Sequence, residues 1–557
     1  PAGRVGLTMM EMKDSACLFR LCRSALLLLQ LPGVAAKLSR QGVHAAYLNI
    51  AKALFKLSKQ ETYDDKFRTE RLVDPLLKTL ESSDKGCATN DVRVYVVGVL
   101  KNIANSPENA KHLAQQGCIK FLLDMVKRDD LVGNSKEAQV LIQVTATLRH
   151  LADSPAHHRM FVTFDAIPAI TRLSALYPSH TELLVNLSRI LSKLSLHSGP
   201  CEVLSKTDVH VRQMCRVIQA HADVASLVLR LVFVMGNVTA KSDKIRIIFM
   251  FDCEGVSLLP TLMTKYWKRD RELARQAAEK GITEKSDGQR EVEEVLVKLV
   301  RLLANVAIST SIGTMVAATS AVVDPLLDIL GCKNIRDSEE LVLNTVAAVT
   351  NLLYYDAPSN ILFTEENKQL LCRLFRPLLL DSYNAEALME TARGLGNLSR
   401  HADARKHIRD LRLDDVLVIL LDHSYRDLVY YICGVLVNMA SDPSCSTRLV
   451  LECGLPLKLV ELLKDLTRDD YELLLCVIKV LINLTLDTQI PWHAETLEPI
   501  RQCLTELDSD LDEIPEGISG DELADFNQIR ELVSHLQRTM PAAVEMQGDF
   551  EPLEAAS

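Results

Sequence analysis

The chain has 557 residues, 48% of them apolar and only 5% aromatic, and its 63 Lys and Arg face 73 Asp and Glu for a net charge of −10. That balance excludes a protein that holds nucleic acid through bulk charge, and no nucleic-acid partner is expected. The 14 cysteines are scattered with no CxxC pair; they read as reduced cytoplasmic thiols serving as small apolar side chains, not as a disulfide or zinc framework.

Taken in order, residues 1–40 carry one good apolar helix, Ala16–Leu31, and read as an N-terminal helical cap or partial repeat. The run Ser24–Ala36 has the look of a signal-peptide core, but it is too short to cross a bilayer and is interrupted by Gln30 and Pro32. It is therefore read as a packing helix, and no membrane insertion is expected. Residue 1 is Pro, so the chain is expected to be a piece of a longer protein.

From about 41 to 505 one short motif keeps returning. Its clearest copy is Gly394-Leu395-Gly396-Asn397-Leu398-Ser399, and the Asn recurs as Asn102, Asn237, Asn305, Asn351, Asn438 and Asn483. Three degenerate copies put Lys56, His150 and Lys193 in its place. The ten anchors are spaced by 46, 48, 43, 44, 68, 46, 46, 41 and 45 residues, and a fixed period of that size means a stacked helical solenoid. The expected fold is all-α, with about ten three-helix repeats, and the 68 is one period containing an insertion.

Calling the anchor n, position n−2 holds Leu54, Leu100, Leu148, Leu191, Met235, Leu303, Val349, Leu395, Leu436 and Leu481. Position n+1 holds Leu57, Ile103, Leu151, Leu194, Val238, Val306, Leu352, Leu398, Met439 and Leu484. A three-residue separation puts both on one helical face, which each copy can bury only against its neighbours. Proline follows soon after an anchor in Asn105-Ser106-Pro107, Asp153-Ser154-Pro155 and Ser441-Asp442-Pro443, and stops the helix. Second helices are expected at Ile119–Val126, Val322–Leu330 and Leu455–Leu466. Two of them follow glycine turns at Gly117 and Gly454, where a left-handed bend costs least.

Residues 266–292 are highly charged with almost no aliphatic periodicity, and are expected to form an exposed loop, part of it a solvated helix. From about 506 to 557 there are fourteen acidic residues and two arginines. Within that region Asp521–Met540 has Leu523, Phe526, Ile529, Leu532, Val533 and Leu536 at helical spacing, as a capping helix would, and a disordered end is expected beyond it.

No nucleotide loop, metalloprotease motif, calcium loop or nucleophile elbow is present, so no enzyme activity, cofactor or metal is expected. His157-His158 is read as a surface turn, and the run Asp508–Glu513 as a solvated tail. The sequons at Asn186, Asn237, Asn397 and Asn483 arise from the repeat pattern and are expected to carry no glycan.

The informative feature is a face. Positions n and n−4 share one side of the anchor helix, and the candidate partner-binding residues there are Lys52, Lys56, Asn102, His150, Arg189, Lys193, Phe233, Asn237, Arg301, Asn305, Asn351, Arg393, Asn397, Asn438, Lys479 and Asn483. The twenty positions hold seven Lys or Arg, seven Asn and no acid. The Asn row admits two readings: amides that tie neighbouring repeats together, or amides that hydrogen-bond the backbone of an extended peptide. The basic residues point to an extended acidic protein segment, with the chain's own acidic tail as a second occupant.

The Asn-apolar-small ending of the anchor helix, the period and the glycine turn resemble armadillo repeats over nearly all of 41–505. That resemblance implies a right-handed superhelix with the anchor helices lining a groove. Import receptors of this class pair each groove Asn with a Trp at n−4; here Trp267 and Trp492 both lie outside the anchor helices, so a basic import signal is not the expected ligand. Val140–Asp153, Leu229–Lys241, Glu293–Ala307 and Glu339–Tyr355 resemble a ciliary and flagellar branch of the armadillo-repeat family. The branch implies a non-catalytic adaptor in cytoplasm and cilium that takes part in axoneme assembly, including sperm flagella, and in delivery of radial spokes by intraflagellar transport. Its partner would be an acidic segment of an axonemal, radial-spoke or transport component. A small-GTPase regulator and a catenin-like scaffold are the alternatives.

Overall fold

The anchor motif lies in every case at the end of a long helix whose n−2 and n+1 side chains are buried; of the twenty, only Leu57 is half-exposed. This is seen in a computed structural model that describes residues 15–35, 37, 40–81, 89–128, 131, 135–380, 384–466, 470–487, 489–511 and 520–543. Among the described residues every regular element is a helix, and no single helix is long and apolar enough to cross a membrane. The chain divides into two compact units, residues 1–306 and 307–557.

In the first unit the anchor helices are α1 (Arg40–Leu57), α2 (Asn90–Ile103), α3 (Ser135–Leu151), α4 (Thr181–Leu194), α5 (Ala225–Lys241) and α6 (Asp287–Val306). Each packs on the next, and helix Ser15–Gln30 covers α1. That first helix buries Phe19, Cys22 and Leu26, and the Gln30 side-chain amide donates to the Pro75 carbonyl at 2.7 Å, as a packing helix does. In the second unit the anchors are α7 (Glu339–Leu353), α8 (Ala385–Leu398), α9 (Arg426–Ala440) and α10 (Tyr471–Leu486). A further helix, α11 (Gly520–Thr539), packs on α10 as another anchor would. Phe526, Ile529, Val533 and Leu536 of α11 are buried.

The shorter helices between anchors follow from two backbone devices. Pro107, Pro155 and Pro443 each stand first in the helix after an anchor, where a missing amide proton costs nothing. The next bend is left-handed. Gly117 (φ 77°) and Gly454 (φ 64°) make it where glycine was expected, and Arg71, Asp165, Glu254 and Arg412 make it with φ between 45° and 57°, at a steric cost of roughly 1–2 kcal/mol each.

Three expectations need correction. Residues 266–292 are mostly helical: helix Gly255–Glu279 runs 25 residues against α6, and the link between them is only residues 280–286. Tyr266 and Trp267 are buried, and the Tyr266 hydroxyl donates to the Ala222 carbonyl at 3.1 Å. Beyond Asp270 the helix is solvated, but Arg275 pairs with Glu272 and Glu279 one turn either side, and charged straight-chain residues with alanine are good helix formers.

His157 and His158 form no surface turn. Both are buried, and they hydrogen-bond the Leu151 and Ala152 carbonyls at the end of α3, each at 2.8 Å. The run Asp508–Glu513 does not begin as a tail: helix Ala494–Asp510 continues through Asp508–Asp510 with Leu504 and Leu507 buried, so Glu506 and Asp510 are its solvated face. Asp512, Glu513 and the proposed disordered end lie outside the described residues.

Candidate partner-binding face

Because consecutive anchor helices lie side by side, the n positions of each unit form a row. The row is stitched by the Asn amides. In the first unit Asn102 Nδ2 donates to Ser58 Oγ at 2.9 Å, Asn237 Nδ2 to Ser195 Oγ at 3.0 Å and Asn305 Nδ2 to the Gly236 carbonyl at 2.9 Å. In the second unit Asn397 Nδ2 donates to the Thr350 carbonyl at 3.3 Å and Asn483 Nδ2 to the Val437 carbonyl at 2.9 Å. Asn438 Nδ2 reaches both the Gly396 carbonyl (3.2 Å) and Ser399 Oγ (2.9 Å).

Each bond runs to the preceding repeat, so the tying role of the amide is real. It occupies only the donor half. Oδ1 of these six residues has no hydrogen-bond partner among the described residues, and each residue is half-exposed. Asn351 stands in the same row, half-exposed. The two readings of the Asn row are thus compatible: the nitrogen holds the stack, and the oxygen is left as an acceptor.

The degenerate copies solve the stacking differently. Lys193 Nζ donates to the Arg149 carbonyl at 3.1 Å and pairs with Asp153, taking over the Asn role with a cation. His150 Nε2 lies 3.0 Å from an Arg149 guanidinium nitrogen. Burial, then the Arg149 charge, holds the His150 pKa down to about 4, with Lys193 and Lys101 adding to the effect against Asp153; its imidazole is neutral at pH 7. Lys56 is exposed.

The n−4 residues divide. Lys52 lies 5.5 Å from the Tyr95 ring centroid, and half-buried Phe233 carries Lys298 5.9 Å above its ring. Arg393 is committed within the second unit: it pairs with Glu390 at 2.6 Å and lies 5.8 Å from the Tyr431 ring. Lys56, Arg189, Arg301 and Lys479 make no ion pair among the described residues, and Arg301 is exposed.

The sequence reading missed a third rung. Tyr95, Asn186, Arg230, Lys298, Glu390 and Tyr431 all stand at n−7; Tyr95, Lys298 and Tyr431 meet the n−4 side chains Lys52, Phe233 and Arg393 of the preceding repeat, and Glu390 meets Arg393 of its own. Seven residues are two helical turns, so the spacing was available; it stayed unread because this rung mixes charges and aromatics. Among the described residues no group of three or more His, Cys, Asp or Glu is placed to hold a metal.

An all-α stack with this period and an Asn row along its anchor helices is an armadillo-type α-solenoid scaffold, and solved structures agree. The crystal structure of an engineered protein superposes with TM-score 0.60 at 18% identity, over 83% of this chain and 98% of its own. A chain from a study of the phosphorylation switch in the cadherin–beta-catenin interaction superposes with TM-score 0.65 at 13% identity, over 96% and 99%. The chain belongs to the armadillo-repeat family. It is similar to armadillo repeat-containing protein 2 of Bos taurus (31% identity over 78% of this chain and 50% of the relative), of Mus musculus (30% over 78% and 51%) and of Homo sapiens (31% over 81% and 52%). It therefore spans about half the length of these relatives. No family model matches the chain.

Proposed function

We propose that this chain is a non-catalytic protein-binding adaptor whose anchor-helix faces take an extended acidic segment of a partner protein. The observation that supports it is the pairing, on one face, of cations without ion partners (Lys56, Arg189 and Arg301 in the first unit, Lys479 in the second) with Asn oxygens left as acceptors. The oxygens suit the partner's backbone amides, and the cations its carboxylates. The sixteen residues named from the sequence are the proposed contacts, with the n−7 rung added.

The setting we propose is the cytoplasm and cilium, in assembly of the axoneme and delivery or anchoring of radial spokes, including in the sperm flagellum. The resemblance of Val140–Asp153 and Glu339–Tyr355 to the ciliary branch of the family supports it, as does similarity to armadillo repeat-containing protein 2. Proximity labelling in ciliated cells tests the setting; enrichment of no axonemal or transport component sinks it. For the face, Arg301→Glu should weaken an acidic partner segment about tenfold or more, read by calorimetry at constant salt. Unchanged affinity counts against this face.

A further inference from the structure

Two consecutive repeats of the first unit lack the anchor Asn, and there the geometry gathers arginines. On α4, Asn186, Arg189 and Lys193 lie along one stripe at spacings of three and four residues. Both ends of that stripe touch α3: Asn186 Nδ2 donates to the Ile142 carbonyl at 3.3 Å, and Lys193 Nζ to the Arg149 carbonyl at 3.1 Å. The Arg149 side chain then runs back along the stripe, and its guanidinium donates to Asn186 Oδ1 at 3.4 Å, which carries it past Arg189. The register of α5 is fixed by the Asn237 bond to Ser195. Arg230 stands to Arg189 of the preceding repeat as Tyr95 stands to Lys52, Lys298 to Phe233 and Tyr431 to Arg393, pairs that lie 5.5, 5.9 and 5.8 Å apart, which sets Arg230 beside Arg189 at the α4–α5 contact.

Three half-buried guanidiniums from three successive helices are thus gathered along one face, near enough that the charges of Arg189 and Arg149 both act on Arg230. Their neutralisation is incomplete. Asp153 is taken by Lys193. Glu291 and Glu294 of α6 act on Arg230 from a distance but form no ion pair with it among the described residues. Arg189 has no partner among the described residues, and Arg230 donates to the Ser226 carbonyl of its own helix. Burial first, and then the Arg189 charge, pushes the pKa of both Arg149 and Arg230 below the usual arginine value. A fold that holds like charges together carries a cost until an anion arrives.

We propose that Arg149, Arg189 and Arg230 form a composite site for a phosphoryl dianion carried on the bound protein segment, a phosphoserine or phosphothreonine. One carboxylate brings a single charge and satisfies one fork, leaving two guanidiniums opposed. A phosphoryl group brings about −1.5 to −2 at pH 7 and three acceptor oxygens, enough to accept from three planar forks at once. This rests on the acidic-segment reading of the same face and names the chemistry its first unit prefers.

The test uses the whole 557-residue chain and a fluorescent twelve-residue Glu-Gly peptide with either serine or phosphoserine at its centre, at fixed salt. The phosphoserine peptide should bind about tenfold tighter or more. The preference should vanish in the double variant Arg189→Gln/Arg230→Gln, whose fold is checked by thermal melting, and persist in Arg301→Gln, which weakens both peptides. Equal binding of the two peptides, or a preference that survives the double variant, overturns the phosphoryl site and leaves the acidic-segment reading intact. Failure of both peptides to bind overturns both. Inorganic phosphate that displaces the phosphoserine peptide at the peptide's own affinity assigns the site to a free anion and overturns its role in segment recognition.

Discussion

The two units stack the same kind of helix by the same apolar seam but close their rows with different chemistry. In the second unit all four anchors from α7 to α10 carry Asn, a neutral group; in Asn397, Asn438 and Asn483 its nitrogen ties and its oxygen stays available. In the first unit α1, α3 and α4 carry Lys56, His150 and Lys193 instead, and α3 to α5 gather Arg149, Arg189 and Arg230. Lys193 shows that a cation can make the inter-repeat bond as well as Asn can, so the stitch itself does not demand an amide. What the substitution changes is the field: the first unit concentrates positive charge under partial burial, whereas the second consumes its Arg393 internally with Glu390.

The largest effect should be common to both units, because the seam is. Leu191→Ala in the first and Leu395→Ala in the second should each cost about 2–5 kcal/mol, read by hydrogen exchange in the helices flanking each site. Both side chains are buried, and a clear inequality would mean that one unit has a looser core. The stitch should separate the units at the next level down. Asn438→Ala, which removes two bonds, should cost about 1–2 kcal/mol, whereas Lys193→Asn should be neutral or slightly stabilising because it keeps the bond and drops a crowded charge. A severe loss in Lys193→Asn would show that its pairing with Asp153 matters more than the row.

The smallest difference should appear in acid. His150 has its folded pKa held near 4 against an ordinary value of 6.5. As pH falls below 6.5 the unfolded chain takes up a proton that the folded chain refuses, so stability falls, and the loss is complete below about 4. His158 and His210 of the first unit are depressed by burial in the same direction, as is His401 in the second. The first unit should therefore loosen first between pH 6.5 and 4, and His150→Asn should reduce that loss. Identical acid profiles for wild type and variant would remove His150 from the account.

Much of this was legible because a solenoid repeats its evidence. Nineteen of the twenty positions assigned to the seam are buried, and Gly117 and Gly454 bend as a glycine turn must. What could not be read has physical reasons. An amide offers a donor and an acceptor, so no sequence pattern decides which of the two a neighbour uses; the distances to Ser58, Gly236 and Val437 decide it. The solvated part of helix Gly255–Glu279 has little apolar periodicity to find, because intrahelical ion pairs replace burial there. His157 and His158 looked exposed because they follow a proline, yet they cap the α3 carbonyls from below.

The anchor amides also have a direction. From Asn102 to Asn483, every one whose partner is described reaches toward the amino-terminal neighbour. Each unit is in this sense a zipper with polarity: a tethered module depends on its predecessor for the acceptor of its anchor amide, while its own departure strands no anchor amide behind it. Peeling whole modules from the carboxyl end leaves the remaining tethers complete, whereas peeling from the amino end orphans one wherever the next anchor is tied back.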